Sequence, residues 1–198
     1  MKQQLLTELV GNSDIYLIDQ ILKGRYQKDN LILDAGCGSG RNLHYFYQND
    51  FTFYAIDRNA EHIDTLQQYY PKLAANFQVA TVENMSFEDA QFDHILCNAV
   101  LHFAESETQF KAMFAALVRV LKKGGSLFIR MTSDIGIEGT PKHLQNGVYW
   151  LPDDSERFLL TRKLLNEIIT THQLSLLEPV KSTNVHDLRS MTTLVLTK

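Results

Sequence analysis

The 198-residue sequence predicts an α/β fold: a doubly wound, mostly parallel sheet with helices on both faces and an antiparallel C-terminal strand. Three observations predict it. Apolar, branched and aromatic runs beginning near residues 31, 51, 76, 92 and 126 alternate with stretches of helical periodicity. Gly36, Gly38 and Gly40 stand at alternate positions between the first strand and the helix behind it, where an open α/β sheet builds its ligand crevice. The last two strands, about 174–184 and 191–197, are joined by a turn at 186–189, far short of the roughly dozen residues a parallel crossover needs.

Each element has its own local cause. Residues 1–22 read as one or two helices, with Ser13 or Asp14 as a cap ahead of Ile15, Ile18, Ile21 and Leu22. They pack on the domain or cover a ligand as a lid, and Tyr16 is the residue of interest in the second case. After the glycine turn, Leu43, Phe46 and Tyr47 stripe a helix. Asn59 caps the next, which carries Ile63, Leu66 and Tyr70 and stops at Pro71. The clearest helix begins at Ser106, with Phe110, Met113, Phe114, Leu117, Val118 and Leu121 on one face. Lys122 and Lys123 suit its negative end, and Gly124 and Gly125 terminate it. Thr161 caps the last helix, which turns Leu164, Leu165, Ile168 and Ile169 to one side. Residues 133–160 break the alternation; the stretch is long and irregular and holds Trp150, the single tryptophan. Such a connection is more often functional than idle.

One domain is the simplest division at this length: a helical cap over 1–24, a ligand-binding core over 31–131 and a substrate-side insertion over 133–160. A formal charge of −4 and a pI near 6.0 give no electrostatic footprint for nucleic acid or an anionic membrane. No apolar run nears the ~20 residues of a membrane span. The first residues lack the apolar core of a signal peptide. Cys37 and Cys97 are the only cysteines. They are too few for a disulfide framework or a cysteine-rich zinc site, so no metal is expected and a cytoplasmic setting with reduced thiols is the economical one.

The glycine spacing discriminates between ligands. A dinucleotide fingerprint reads G-x-G-x-x-G and seats a pyrophosphate on the helix amino terminus. Here the third glycine comes one residue early and Asp34 precedes the turn. A carboxylate at the strand end repels a pyrophosphate but suits a ligand bearing an ammonium group.

LILDAGCGSGRN (31–42) resembles the first motif of class I S-adenosylmethionine-dependent methyltransferases, a hydrophobic run followed by D-x-G-x-G-x-G. FYAIDRN (53–59) is similar to that family's second strand and its terminal acid. FQVATVENMSFEDAQFDHILCNAVLHF (77–103) resembles its third strand, adenine loop and fourth strand, and LVRVLKKGGSLFIRM (117–131) its next helix, glycine turn and fifth strand. These segments fall in the family order over about residues 31–131. The terminal antiparallel pair fits its Rossmann-like, seven-stranded sheet.

The resemblance implies S-adenosyl-L-methionine as cofactor. It places Asp34, Gly36, Cys37, Gly38, Gly40 and Asn42 around the methionine moiety, Asp57 with Arg58 at the ribose, and Val82 with Glu83 at the adenine. Asn98 and Ala99 then line the end where the methyl points outward. One position departs: many relatives carry an aspartate where this chain has Thr81, which removes a charge from the adenine contact. The implied reaction is direct in-line transfer of the methyl group to a small-molecule acceptor. Where the acceptor must lose a proton, His102 is the first candidate base, followed by His143 and Tyr149; Tyr149 and Trp150 could wall the acceptor pocket. Residues 98–101 read N-A-V-L instead of the [N/D]-P-P-[Y/F] of enzymes that methylate base amino groups. A protein that binds the donor without transferring its methyl, or less favourably an NAD-dependent oxidoreductase, are the alternatives.

Overall fold

The computed structural model describes residues 3–198, so Met1 and Lys2 of the expected 1–24 cap lie outside the described residues. Two short helices come first, α1 (Gln3–Val10) and α2 (Ile15–Leu22). Asp14, not Ser13, caps the second by accepting from Tyr16 N at 2.9 Å. β1 (Leu31–Ala35) leads through the glycine turn into α3 (His44–Gln48), and β2 (Thr52–Asp57) into α4 (Ala60–Tyr69), whose cap is Asn59 as expected. β3 (Phe77–Val79) and β4 (Phe92–Asn98) are shorter than the segments read from sequence, because the chain turns into 3₁₀ geometry at Val82–Asn84 and Leu101–Phe103. Ser106 caps α5 (Glu107–Val120) through Gln109 N at 3.1 Å.

The end of α5 corrects the sequence reading. Leu121 already belongs to β5 (Leu121–Ser133), and Lys122 pairs with Asp93 at 2.8 Å instead of lying against the helix end. Gly125 serves close packing, since a Cβ there would lie 2.6 Å from Asp93 O. Residues 133–160 are corrected as well. They contain a second, antiparallel sheet of β6 (Lys142–Gln145), β7 (Val148–Trp150) and β8 (Glu156–Phe158). Its first turn is Asn146-Gly147, with φ of 53° and 85°, the paired left-handed conformation of a two-residue hairpin. Then come α6 (Arg162–Thr171), capped by Thr161, and the strands β9 (Ser175–Leu176), β10 (Lys181–Val185) and β11 (Arg189–Thr197).

The main sheet runs β10-β11-β5-β4-β1-β2-β3, with β9 added to β11. β1 to β5 pair in parallel, while β11 is antiparallel to both β5 and β10, as its short connection requires. Alternation across the strands builds two cores. Leu33, Ile95, Ile129 and Leu194 pack with Phe114 and Leu117 of α5 and Leu165 of α6. Ile32, Leu96, Phe128 and Val195 pack with Leu17, Phe46 and Leu66 of α2, α3 and α4. Coverage of both faces is why the central strands read as continuous apolar runs. Chain order reverses on either side of β1, which opens a crevice beyond the carboxyl ends of β1 and β4. No helix among the described residues is long and apolar enough to cross a membrane.

Candidate functional site

The crevice is built from backbone first. After β1, the N–H groups of Gly36 and Cys37 both donate to Ile56 O, at 2.8 and 2.9 Å, which ties the turn to the end of β2. The glycines then serve different ends. A Cβ on Gly36 would collide with Val100, and one on Gly40 with Leu66, so both permit close packing. A Cβ on Gly38 would meet nothing within 4 Å, so this residue faces open space. Its N–H donates to Asp57 Oδ2 at 2.8 Å, while Asp57 Oδ1 accepts from Asn59 N at 2.9 Å. Two backbone donors therefore hold one carboxylate at the rim, and each oxygen keeps acceptor capacity.

A cavity of about 250 Å³ opens beside it. Of the residues expected at a ligand, Gly36, Gly38, Asp57, Arg58, Val82, Glu83 and Ala99 line it. Thr81, the position that departs from the family pattern, lines it too, and the structure adds Val100 and Phe103, together with Gln109 and Met113 from α5. Gln109 Nε2 donates to Glu83 Oε1 at 3.0 Å and fixes that carboxylate against the first turn of α5. By sequence Met113 belongs to the core stripe; periodicity identifies the apolar face but not which end of it overlooks a cleft. Ala99 has φ +62°, a left-handed backbone that costs a non-glycine residue about 1–2 kcal/mol. Its N–H is held by Arg130 O at 2.7 Å.

Asp34 and Asn98 sit behind this cavity without lining it. Asp34 is 1% exposed, its Oδ2 has no hydrogen-bond partner, and burial pushes its pKa up to about 7. Asn98 Oδ1 accepts from Arg41 Nη2 at 3.1 Å, and its Nδ2 is buried without a partner.

Five other expected site residues stand outside the lining of this cavity. The Cys37 side chain belongs to the α2–α4 core, and burial pushes its thiol pKa up. Gly40 packs against α4. Asn42 Oδ1 accepts from Asp14 N at 3.1 Å and thereby anchors the start of α2. His102 Nδ1 accepts from Thr132 N at 3.3 Å, which leaves the proton of the neutral ring on Nε2. Burial, then the positive charges of Arg157, Arg189 and Arg130, press its pKa down to about 4. In this arrangement the ring is a donor without a free basic nitrogen. It lines a different cavity of about 380 Å³, between the 101–105 turn and the small sheet. Tyr149 lies on β7 with its ring edge-on to His143 at 5.0 Å and lines neither cavity. Trp150, 40% exposed, is neither a wall of these cavities nor a core anchor.

The strand order, the glycine turn and the anchored acid after β2 define an α/β domain with a crevice for a nucleoside-like ligand. Residues 33–129 match the methyltransferase domain family model. Residues 33–129, just under half of the chain, thus carry a methyltransferase domain, similar to that of the class I S-adenosylmethionine-dependent methyltransferases. The chain is 32% identical over 99 residues to a ubiquinone biosynthesis O-methyltransferase from Methylocella silvestris, an alignment covering 49% of this chain and 38% of that protein. The chain thus matches well under half the length of that curated relative. Among solved structures, an S-adenosylmethionine-dependent methyltransferase from Methanosarcina mazei superposes with a TM-score of 0.70 at 20% identity, covering 90% of this chain and 96% of the other. The 1,6-didemethyltoxoflavin-N1-methyltransferase of Burkholderia thailandensis, solved with 1,6-didemethyltoxoflavin and S-adenosylhomocysteine, gives 0.70 at 18% identity, over 98% and 80% of the two chains. At those identities the likeness is one of fold.

The donor set fits the family's cofactor. Asp57 offers two oxygens to a diol, Val82 and Met113 offer apolar surface to a purine, and Gly38 leaves room above the turn. The buried, unpartnered Asp34 Oδ2 suits the ammonium group of an amino acid.

Proposed function

We propose that this chain transfers a methyl group from S-adenosylmethionine to a small-molecule acceptor. The observation that carries the reading is the Asp57 carboxylate, locked by Gly38 N and Asn59 N at the rim of the cleft. A short acid held this way can accept from both ribose hydroxyls, with Arg58 beside it. Thr81, Val82 and Glu83 meet the adenine, Gln109 and Met113 complete that pocket from α5, and Asp34, Gly36, Asn98 and Ala99 meet the methionyl end. When bound, the cofactor supplies an electrophilic sulfonium methyl group. The chain supplies position and exclusion of water, and positioning alone contributes on the order of 7–11 kcal/mol. No residue need act covalently.

A small acceptor is supported by the acidic balance, a charge of −4, and by the absence of a basic stripe in the sequence. The curated relative's name adds an oxygen nucleophile to the acceptors worth testing. Cys37 and Cys97, both free thiols, agree with a cytoplasmic setting. The division into a 1–24 cap, a 31–131 donor core and a 133–160 acceptor-side insertion belongs to the same proposal.

Calorimetric titration with S-adenosylmethionine, S-adenosylhomocysteine and NAD tests the donor. Saturable binding of the two sulfur ligands without a response to NAD is expected; binding of NAD alone would overturn the reading. Transfer of labelled methyl across a metabolite panel then separates a transferase from a protein that only binds the donor.

A further inference from the structure

A second polar cluster lies beyond the donor cleft. Asn98 on β4 stands in register with Arg130 on β5, and Arg130 with Thr193 on β11. The three share the sheet face of Leu96, Phe128 and Val195, which α2 covers through Leu17. Asn98 and Thr193 are 7% and 3% exposed. Asn98 Nδ2, Arg130 Nε and Thr193 Oγ1 are each buried without a hydrogen-bond partner. Buried polar groups are nearly always satisfied, so three orphaned ones in a row need a reason. All three can donate.

α2 closes this row. The Arg130 guanidinium lies 5.0 Å from the Tyr16 ring centroid, and the Tyr16 hydroxyl bonds to Thr183 Oγ1. Asp14 Oδ2 stands 3.5 Å from Arg130 Nη1 and also 3.5 Å from Arg41 Nη2. One carboxylate oxygen serves two guanidinium groups, at the long limit for either.

We infer that the Arg130 row is a receptor for an anionic oxygen group, a carboxylate by class, on the methyl acceptor, with Asp14 as the internal stand-in that it displaces. The inference rests on the proposed function. A planar guanidinium flanked by two further donors matches both oxygens of a carboxylate. A neutral acceptor could take hydrogen bonds from the orphaned donors through a carbonyl oxygen but would leave the guanidinium charge without a counter-charge. Place on the sheet sets the row well away from the ribose anchor, toward the end where the methyl group is proposed to point outward. Asp57 lies on β2, and Arg130 lies three strands away across β1 and β4, roughly 14 Å at the usual strand spacing.

The test uses the full chain saturated with S-adenosylhomocysteine and titrated with acetate, benzoate and cinnamate, each beside its primary amide. At least one carboxylate should bind where its amide does not. Arg130→Gln should lower that affinity about tenfold or more, with S-adenosylhomocysteine affinity kept within about twofold. Thr193→Val preserves shape, should weaken the carboxylate by a smaller factor, and serves if Arg130→Gln fails to fold. No preference for carboxylates over amides, or unchanged affinity in the folded variants, would overturn the inference. If Arg130→Gln weakens S-adenosylhomocysteine but not 5′-methylthioadenosine, which lacks the amino-acid part, the receptor belongs to the donor and the acceptor assignment is overturned. Failure of the unaltered chain to bind S-adenosylhomocysteine would overturn the donor reading itself, before any variant is made.

Discussion

The proposed donor side and the proposed acceptor side of this molecule are assembled by different means. Around the donor cleft the work is done by backbone: Gly36 N and Cys37 N on Ile56 O, Gly38 N on Asp57, Ala99 N on Arg130 O. The residues involved come from short stretches at the ends of neighbouring strands. Along α2, which covers the proposed acceptor row, side chains from distant segments meet: Tyr16 with Thr183, Gln20 with Glu178, and Lys23 and Lys181 with both Asp19 and Glu178. A site made of backbone tolerates change in most side chains but not in its glycines. A site made of long-range side-chain contacts can be retuned one residue at a time. The first arrangement is suited to a ligand shared by a whole family, the second to a ligand peculiar to one member.

The sharpest way to break that contrast is Gly36→Ala. The added Cβ would collide with Val100 at φ +81°, so stability should fall by about 2–4 kcal/mol in urea denaturation, with donor binding lost alongside. A variant as stable as its parent would show that the turn is not the constraint described. Asp57→Ala should leave the fold intact and weaken donor binding by roughly 1.5–3 kcal/mol by calorimetry, the scale of hydrogen bonds to a charged group. Unchanged affinity in a folded variant would remove Asp57 from the ribose.

Acid should expose a cost of burying histidines in the fold. Burial first of all holds His94 and His102 near a pKa of about 4 against an ordinary 6.5. Between those values the unfolded chain takes up protons that the folded chain refuses, so stability is full above about pH 6.5 and declines as pH falls toward 4. Urea midpoints at pH 7 and pH 4.5 should differ accordingly, and His102→Asn should flatten the slope. The smallest effect is expected at Trp150. Trp150→Ala should change stability by no more than about 0.5 kcal/mol and leave donor affinity alone. A larger loss in the melting curve would mean that this exposed ring packs more than its surroundings indicate.

What is legible in the sequence follows the same division. The caps at Asn59, Ser106 and Thr161, the helix faces, and Asp57, Val82, Glu83 and Ala99 at strand ends all depend on neighbours within a few residues, and the structure places each in the expected element. Cys37, Gly40 and Asn42 fall outside the cleft lining for a local reason: motif membership does not say which way a side chain points, and these three serve packing and the anchoring of α2. Gln109 and Met113 escape a sequence reading because a helical stripe carries no label for the end that overlooks a cleft. The small sheet does have a local signal, the Asn146-Gly147 pair that a two-residue hairpin favours. The surrounding glycines and prolines mask it. The row of Asn98, Arg130 and Thr193 has no signal at all, since only strand pairing brings those positions together.

The hairpin turn has one further contact. Asn146 O accepts from Glu107 N at 2.9 Å, so the small sheet rests on the first turn of α5, two residues from Gln109, which steadies Glu83 in the donor cleft. A ligand that stiffens the small sheet and a ligand that fills the donor cleft therefore lean on the same helical turn. Whatever free energy each spends on ordering it is spared to the other. If the acceptor rests on the 133–160 insertion as proposed, linkage makes that saving equal in both directions, and donor and acceptor should each raise the other's affinity by one common factor.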